Sequence, residues 1–137
     1  MQNYTRYSKF FQNSIPALDT LTKRELLLFI YFSTKVDMPS NELRLNRSEK
    51  DKAALAVKIK PISVNNCLSK FCKKDLMLNL RGGTYLLNPN ISNRSKPQFI
   101  QHLQKKYQEQ KKALRVNQSG SHLEQQQEAI NRLPQHN

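Results

Sequence analysis

Between Pro61 and Lys74 the chain reads PISVNNCLSKFCKK, and here lie the side chains best suited to reading another molecule. Val64, Leu68 and Phe71 recur at spacings of four and three, the mark of a helix with one buried stripe. That spacing turns Ile62, Ser63, Asn65, Asn66, Ser69, Lys70 and Lys73 outward. An Asn amide can pair with the N6/N7 edge of adenine, and a Ser hydroxyl can contact any base. Ser63, Asn65, Asn66 and Ser69 are therefore candidates for base contact. On any other helix they would be ordinary surface residues. Lys58, Lys60, Lys70, Lys73 and Lys74 suit phosphates, which position a protein on a duplex without reporting its sequence.

A second group sits farther on. Gly82-Gly83 supplies the positive-φ residues of a two-residue hairpin turn, leaving Arg81 and Thr84 at its tip. Arg81 there can enter a minor groove or touch the backbone. Other chemistry is poorly provided for. Cys67 and Cys72 are five apart, about 140° from each other on a helix, and suit neither a joint metal site nor a disulfide. In a chain without export signals they read as reduced cytoplasmic thiols. His102, His122 and His136 stand singly, so no metal site is indicated, and a strand-nicking nuclease with a close His pair is disfavoured. Gly120 is the remaining glycine, and no phosphate-cradling Gly-rich loop exists. The expectation is a binder with no catalytic residue, no cofactor and no small-molecule ligand.

The elements needed to hold these side chains can be read in order. Thr22-Lys23-Arg24-Glu25 fits a capping box that opens a helix running to about Lys35. Because residues 26–32 are apolar all round, this helix should be covered on more than one side, by a later helix or by a second subunit. Pro39-Ser40-Asn41 is a loop, and Leu43 and Leu45 alternate inward in a short strand. Ser48-Glu49-Lys50-Asp51 is a second capping signal, for a helix carrying Ala53, Ala54 and Val57. After the break at Lys58-Ile59-Lys60, Pro61 suits the first turn of the next helix. A turn of this kind commonly has Gly where Lys58 stands, so a differently built turn is expected. Beyond Asp75 the pattern alternates. Arg81 should lie opposite Thr84 and Leu80 opposite Tyr85, putting Leu76, Leu78, Leu80, Tyr85 and Leu87 inside and Met77 and Asn79 outside. Two short helices followed by a basic-tipped ribbon have the layout of a winged helix-turn-helix in an α+β fold.

Composition supports a phosphate-rich partner. The 137 residues carry a formal charge of +13, and the stretch from Lys58 to Arg115 holds thirteen Lys/Arg against two acids. Such uneven charge beside a helix-turn-helix pattern favours double-stranded DNA over a merely solvated surface. No apolar run reaches the roughly 20 residues of a membrane span, and no signal-peptide core is visible, so a cytoplasmic location is expected. Residues 1–17 form an arm with Tyr4, Tyr7, Phe10 and Phe11, rings that can pack as an edge strand or lie against bases. Residues 18–92 make the DNA-binding domain. Residues 97–116 form a basic C-terminal helix with Phe99, Leu103 and Tyr107 on one stripe, free to dock on the first helix or pair with a twin as a homodimer. Residues 117–137, starting at a break from Asn117 to Gly120, form a Gln-rich tail expected to be disordered.

Residues 41–90 resemble the RepL-like replication initiators of bacterial plasmids, a winged-helix family. The likeness rests on Asn41-Glu-Leu-Arg-Leu-Asn, on Ser63-Val64-Asn65-Asn66 with Leu68 and Phe71, on Lys73-Lys74-Asp75-Leu76, and on Gly83-Thr84-Tyr85-Leu86-Leu87-Asn88-Pro89. It implies an origin-binding protein that recruits host replication proteins. Winged helices also serve as transcription regulators, and a protein-binding adaptor using the apolar first helix is a third role open to such a chain.

Overall fold

From the N-terminus the chain forms β1 (Lys9–Phe10), a 3-10 turn (Gln12–Ser14), α1 (Ile15–Leu18), α2 (Lys23–Ser33), β2 (Glu42–Arg44) and α3 (Arg47–Val57). It continues with α4 (Pro61–Lys73), β3 (Met77–Arg81), β4 (Thr84–Leu87), β5 (Ser92–Asn93) and α5 (Pro97–Arg132). This computed structural model describes residues 9, 10 and 12–132, so Tyr4, Tyr7, Phe11 and residues 133–137 lie outside it. The fold is α+β, with a three-stranded antiparallel sheet ordered β2-β4-β3 and a two-stranded ribbon of β1 and β5. Of the two expectations for the N-terminal arm, packing holds for its described part, because Lys9 and Phe10 pair with Asn93 and Ser92.

The capping box of α2 is formed. The Glu25 N–H donates to Thr22 Oγ1 at 3.3 Å, and the Thr22 N–H donates to Glu25 Oε1 at 2.8 Å. Leu28, Phe29 and Phe32 are fully buried, but Leu27 and Ile30 remain 36% and 39% exposed. Cover on several sides was expected; within the described residues α2 is covered on its core side. Phe10, Ile15, Leu18, Leu26 and Ile30 line an open apolar groove beside it.

Two local features differ from expectation around α3. Its cap is Asn46, whose Oδ1 accepts the Glu49 N–H at 2.8 Å, and Ser48 lies inside the first turn. Asn caps as well as Ser, and the Leu45 N–H is tied to Gly83 O at 2.7 Å, so Asn46 is the next residue able to turn the chain. At the other end Lys58 takes φ 60° and ψ 50°, the left-handed conformation a Gly would take. The turn is therefore built in the ordinary way after all. The Ile59 N–H reaches Ala54 O and the Lys58 N–H reaches Leu55 O, a Schellman closure, with Ile59 packed against the core. That closure holds a residue whose Cβ resists positive φ at a cost of about 1–2 kcal/mol. Lys58→Gly should accordingly raise stability by roughly 0.5–1 kcal/mol, measured as the urea midpoint, after the greater unfolded-state entropy of Gly is deducted. A lower midpoint would mean that the Lys58 side chain supports the turn.

The hairpin register departs from the simple one. Arg81 does pair with Thr84, but Asn79 pairs with Tyr85, Leu78 with Leu86 and Met77 with Leu87, leaving Leu80 as an extra residue in β3. The Arg81 N–H is held by Asn79 Oδ1 at 2.8 Å, and Arg81, Gly82 and Gly83 all have positive φ. One inserted residue exchanges the faces of a strand. Met77, Tyr85 and Leu87 thus join Leu43 and Leu76 in the main core, whereas Leu78 and Leu86 are buried outside it and Leu80 is half-buried. Gly83 is required twice over: its φ is 81°, and a Cβ would sit 2.6 Å from Leu45 O.

Burial on both faces of the sheet follows from the start of α5. Leu103 and Tyr107 are buried, the Tyr107 hydroxyl donates to Asp75 Oδ1 at 2.8 Å, and Lys106 Nζ meets Glu42 Oε1 at 2.9 Å. The apolar stripe therefore docks beside β2 and the start of β3, not on α2, and Phe99 in its first turn stays 47% exposed. Contacts define one unit ending at Tyr107 and a second starting at Gln108, and α5 contributes to both. The helix does not stop at 116 but continues through 117–120 to Arg132. One Gly costs only about 1 kcal/mol inside a helix, and Gln, Glu and Leu around it are good helix formers.

Candidate nucleic-acid interface

α4 has two sides of opposite character. Val64, Leu68 and Phe71 are buried, with the Phe71 ring edge-on to Phe29 at 5.4 Å between centroids. At about 100° per residue, Ile62, Asn66, Ser69 and Lys73 form the stripe facing away from that core, with Asn65 on one flank and Ser63 and Lys70 on the other. Asn65, Asn66, Ser69 and Lys73 are exposed, and Ser63 is half-buried. Three of the four candidate base contacts are therefore presented outward, and Ser63 is the least available.

The expected phosphate ligands divide. Lys58, Lys60 and Lys73 are exposed. Lys70 Nζ instead lies 2.8 Å from Glu25 Oε1, and Lys74 Nζ donates to Thr20 Oγ1 at 2.8 Å. Both ammonium groups thus point to the start of α2, where they fasten α4 to the domain. Burial alone would raise the Glu25 carboxyl, but the Lys70 ammonium and the Thr22 N–H and hydroxyl outweigh it, holding the carboxyl below its usual range. Sequence spacing could not reveal this tie, since Lys70 and Glu25 are 45 residues apart.

At the hairpin tip Arg81 is exposed and Thr84 half-buried. Thr84 also pairs with Arg44 of β2, so Arg44, Thr84 and Arg81 form one row across three strands. The Arg44 side chain is 75% exposed and only loosely paired with Glu42, at 4.0 Å. Arg44 is a basic residue that sequence reasoning placed in the strand without a role. Its signal was the outward phase between Leu43 and Leu45.

Burial pushes both half-buried thiols up, with Glu25 adding to the shift at Cys67 and the Asn79 backbone partly offsetting it at Cys72. Both cysteines are unpaired. Among the described residues no group of three His, Cys, Asp or Glu side chains is placed to hold a metal ion. No helix among them is long and apolar enough to cross a membrane.

No protein-family model matches the chain, and no curated protein does. A solved structure, a "possible transcriptional regulator" from Methanosarcina mazei Go1, is similar over 86% of this chain and 98% of its own, with 20% identity and a TM-score of 0.32. At that level the likeness carries no argument.

Proposed function

We propose that this protein binds double-stranded DNA with sequence preference as a winged helix-turn-helix protein, with α4 in the major groove and the β3–β4 hairpin as its wing. Its role in this reading is transcription regulation in the cytoplasm, without catalysis of its own. The observation that carries the proposal is the division of α4, whose buried stripe anchors it while Asn65, Asn66, Ser69 and Lys73 are exposed on a chain of net charge +13. Helix docking in the groove places such residues at base edges, and the basic residues around them at phosphates.

A second reading, origin binding in plasmid replication with recruitment of host replication proteins, is favoured by the resemblance over residues 41–90. Several of the residues behind that resemblance have structural tasks. Tyr85 lies in the core, Gly83 admits the close backbone of Leu45, and Asn88 Nδ2 donates to Asp75 O at 2.9 Å. They speak for the fold more than for replication, so regulation is the reading we prefer.

The test is salt dependence. Lys60→Ala with Lys73→Ala should weaken binding to every duplex and flatten the plot of log affinity against log salt, by roughly one unit of slope for each phosphate no longer neutralised. Titrations at several salt concentrations measure it. An unchanged slope removes this face from the interface, and no duplex binding at all favours a protein-binding adaptor.

A further inference from the structure

An exposed apolar side chain stands at the start of this polar face. Ile62 is 71% exposed, the large apolar residue that α4 leaves in solvent. Lone exposed aliphatics are common, and by itself this one would mean nothing. Its company is informative. One, two and three turns later on the same stripe come Asn66, Ser69 and Lys73, and the exposed Lys58 and Lys60 lie just before the helix. A cationic, hydrogen-bonding helix face with one exposed aliphatic fits an apolar protein partner poorly. It fits a polyanion whose groove offers one small apolar group among polar edges, and in the major groove that group is the C5-methyl of thymine.

We propose that Ile62 and Asn66 form a joint reader of A·T pairs, Ile62 packing on the thymine methyl and Asn66 pairing with the N6/N7 edge of adenine. The proposal rests on α4 being the DNA-facing helix and names the sequence class it prefers. Residues four apart on a helix have Cβ atoms about 5–6 Å apart. Successive base pairs are about 3.4 Å apart, so the two side chains reach the same pair or neighbouring pairs. A G·C pair lacks the methyl that Ile62 would cover and has no N6 donor for Asn66.

The experiment uses the full chain and duplexes enriched by it from a random pool. Affinity is measured for the best duplex and for copies in which single thymines are replaced by uracil, which removes one methyl and keeps the base-pairing edges. Wild type should lose about threefold to fivefold at one or two positions, the effect of uncovering one methyl-sized group. Ile62→Ala should bind the thymine and uracil copies equally, with an unchanged melting temperature because Ile62 is exposed. Asn66→Ala should still distinguish them. Equal binding of both copies by wild type, or discrimination that survives in Ile62→Ala, overturns the proposal. Failure to enrich any duplex is a different outcome: it refutes the DNA-facing reading of α4 itself, and the A·T reader with it.

Discussion

Phe71→Ala is expected to cost about 3–5 kcal/mol of stability, because the ring is fully buried and its removal loses both transfer free energy and packing. The site has little room to adapt. Phe71 meets Phe29 edge-on at 5.4 Å, joining α4 to the most buried helix of the domain. Such pairs contribute about 0.5–1.5 kcal/mol beyond area burial. A small domain has about 5–15 kcal/mol in all, so the variant should be near its unfolding threshold at 37 °C. With 4–8 °C per kcal/mol for a domain of this size, the melting midpoint should fall by roughly 12–40 °C. Circular dichroism melts at fixed pH and salt measure this. A fall below about 5 °C would mean that the Phe29–Phe71 contact does not anchor α4, and the division of that helix into buried and exposed sides would lose its basis.

What the sequence disclosed about this molecule was chiefly what repeats locally. The Thr22–Glu25 box, the stripe Val64-Leu68-Phe71 and the glycines of the hairpin each state their geometry within a few residues, and each is formed. Departures arose where a distant partner or a side chain bonded to its own backbone decided the outcome. Asn79 holds the Arg81 N–H and so makes room for the extra Leu80, which exchanges the sheet faces and buries Met77. Alternation alone carries no trace of that bond. Lys58 stands in a left-handed turn because the Schellman bonds to Ala54 and Leu55 and the packing of Ile59 outweigh its local preference. The candidate site shows the same division. The outward direction of Asn65, Asn66, Ser69 and Lys73 was legible from helical phase. The tethering of Lys70 by Glu25 and Lys74 by Thr20, and the row of Arg44 beside Thr84 and Arg81, exist only once distant segments meet.

Asn66→Ala is the substitution expected to change sequence preference most while changing the fold least. Asn66 lies nearly opposite the buried stripe of α4, and Asn65 lies about 90° to its side, so a duplex meeting this helix meets Asn66 first. A bidentate Asn–adenine contact is worth about 1–3 kcal/mol of discrimination, and a phosphate contact gives none. Binding to the enriched duplex should therefore weaken by roughly tenfold or more, with binding to unrelated duplexes nearly intact. Stability should stay within about 0.5 kcal/mol, as for other surface substitutions. Asn65→Ala, on the flank toward Cys72, should show the smaller loss of the two. The comparison variant is Leu68→Ala, a core truncation that should cost about 2–5 kcal/mol and weaken all duplex binding together as the domain loosens. Measuring cognate and unrelated duplexes in parallel, with a melt of each variant, separates the two kinds of effect. If folded Asn65→Ala and Asn66→Ala both keep full site preference, α4 does not read bases, and the next row to test is Arg44, Thr84 and Arg81 at the hairpin tip.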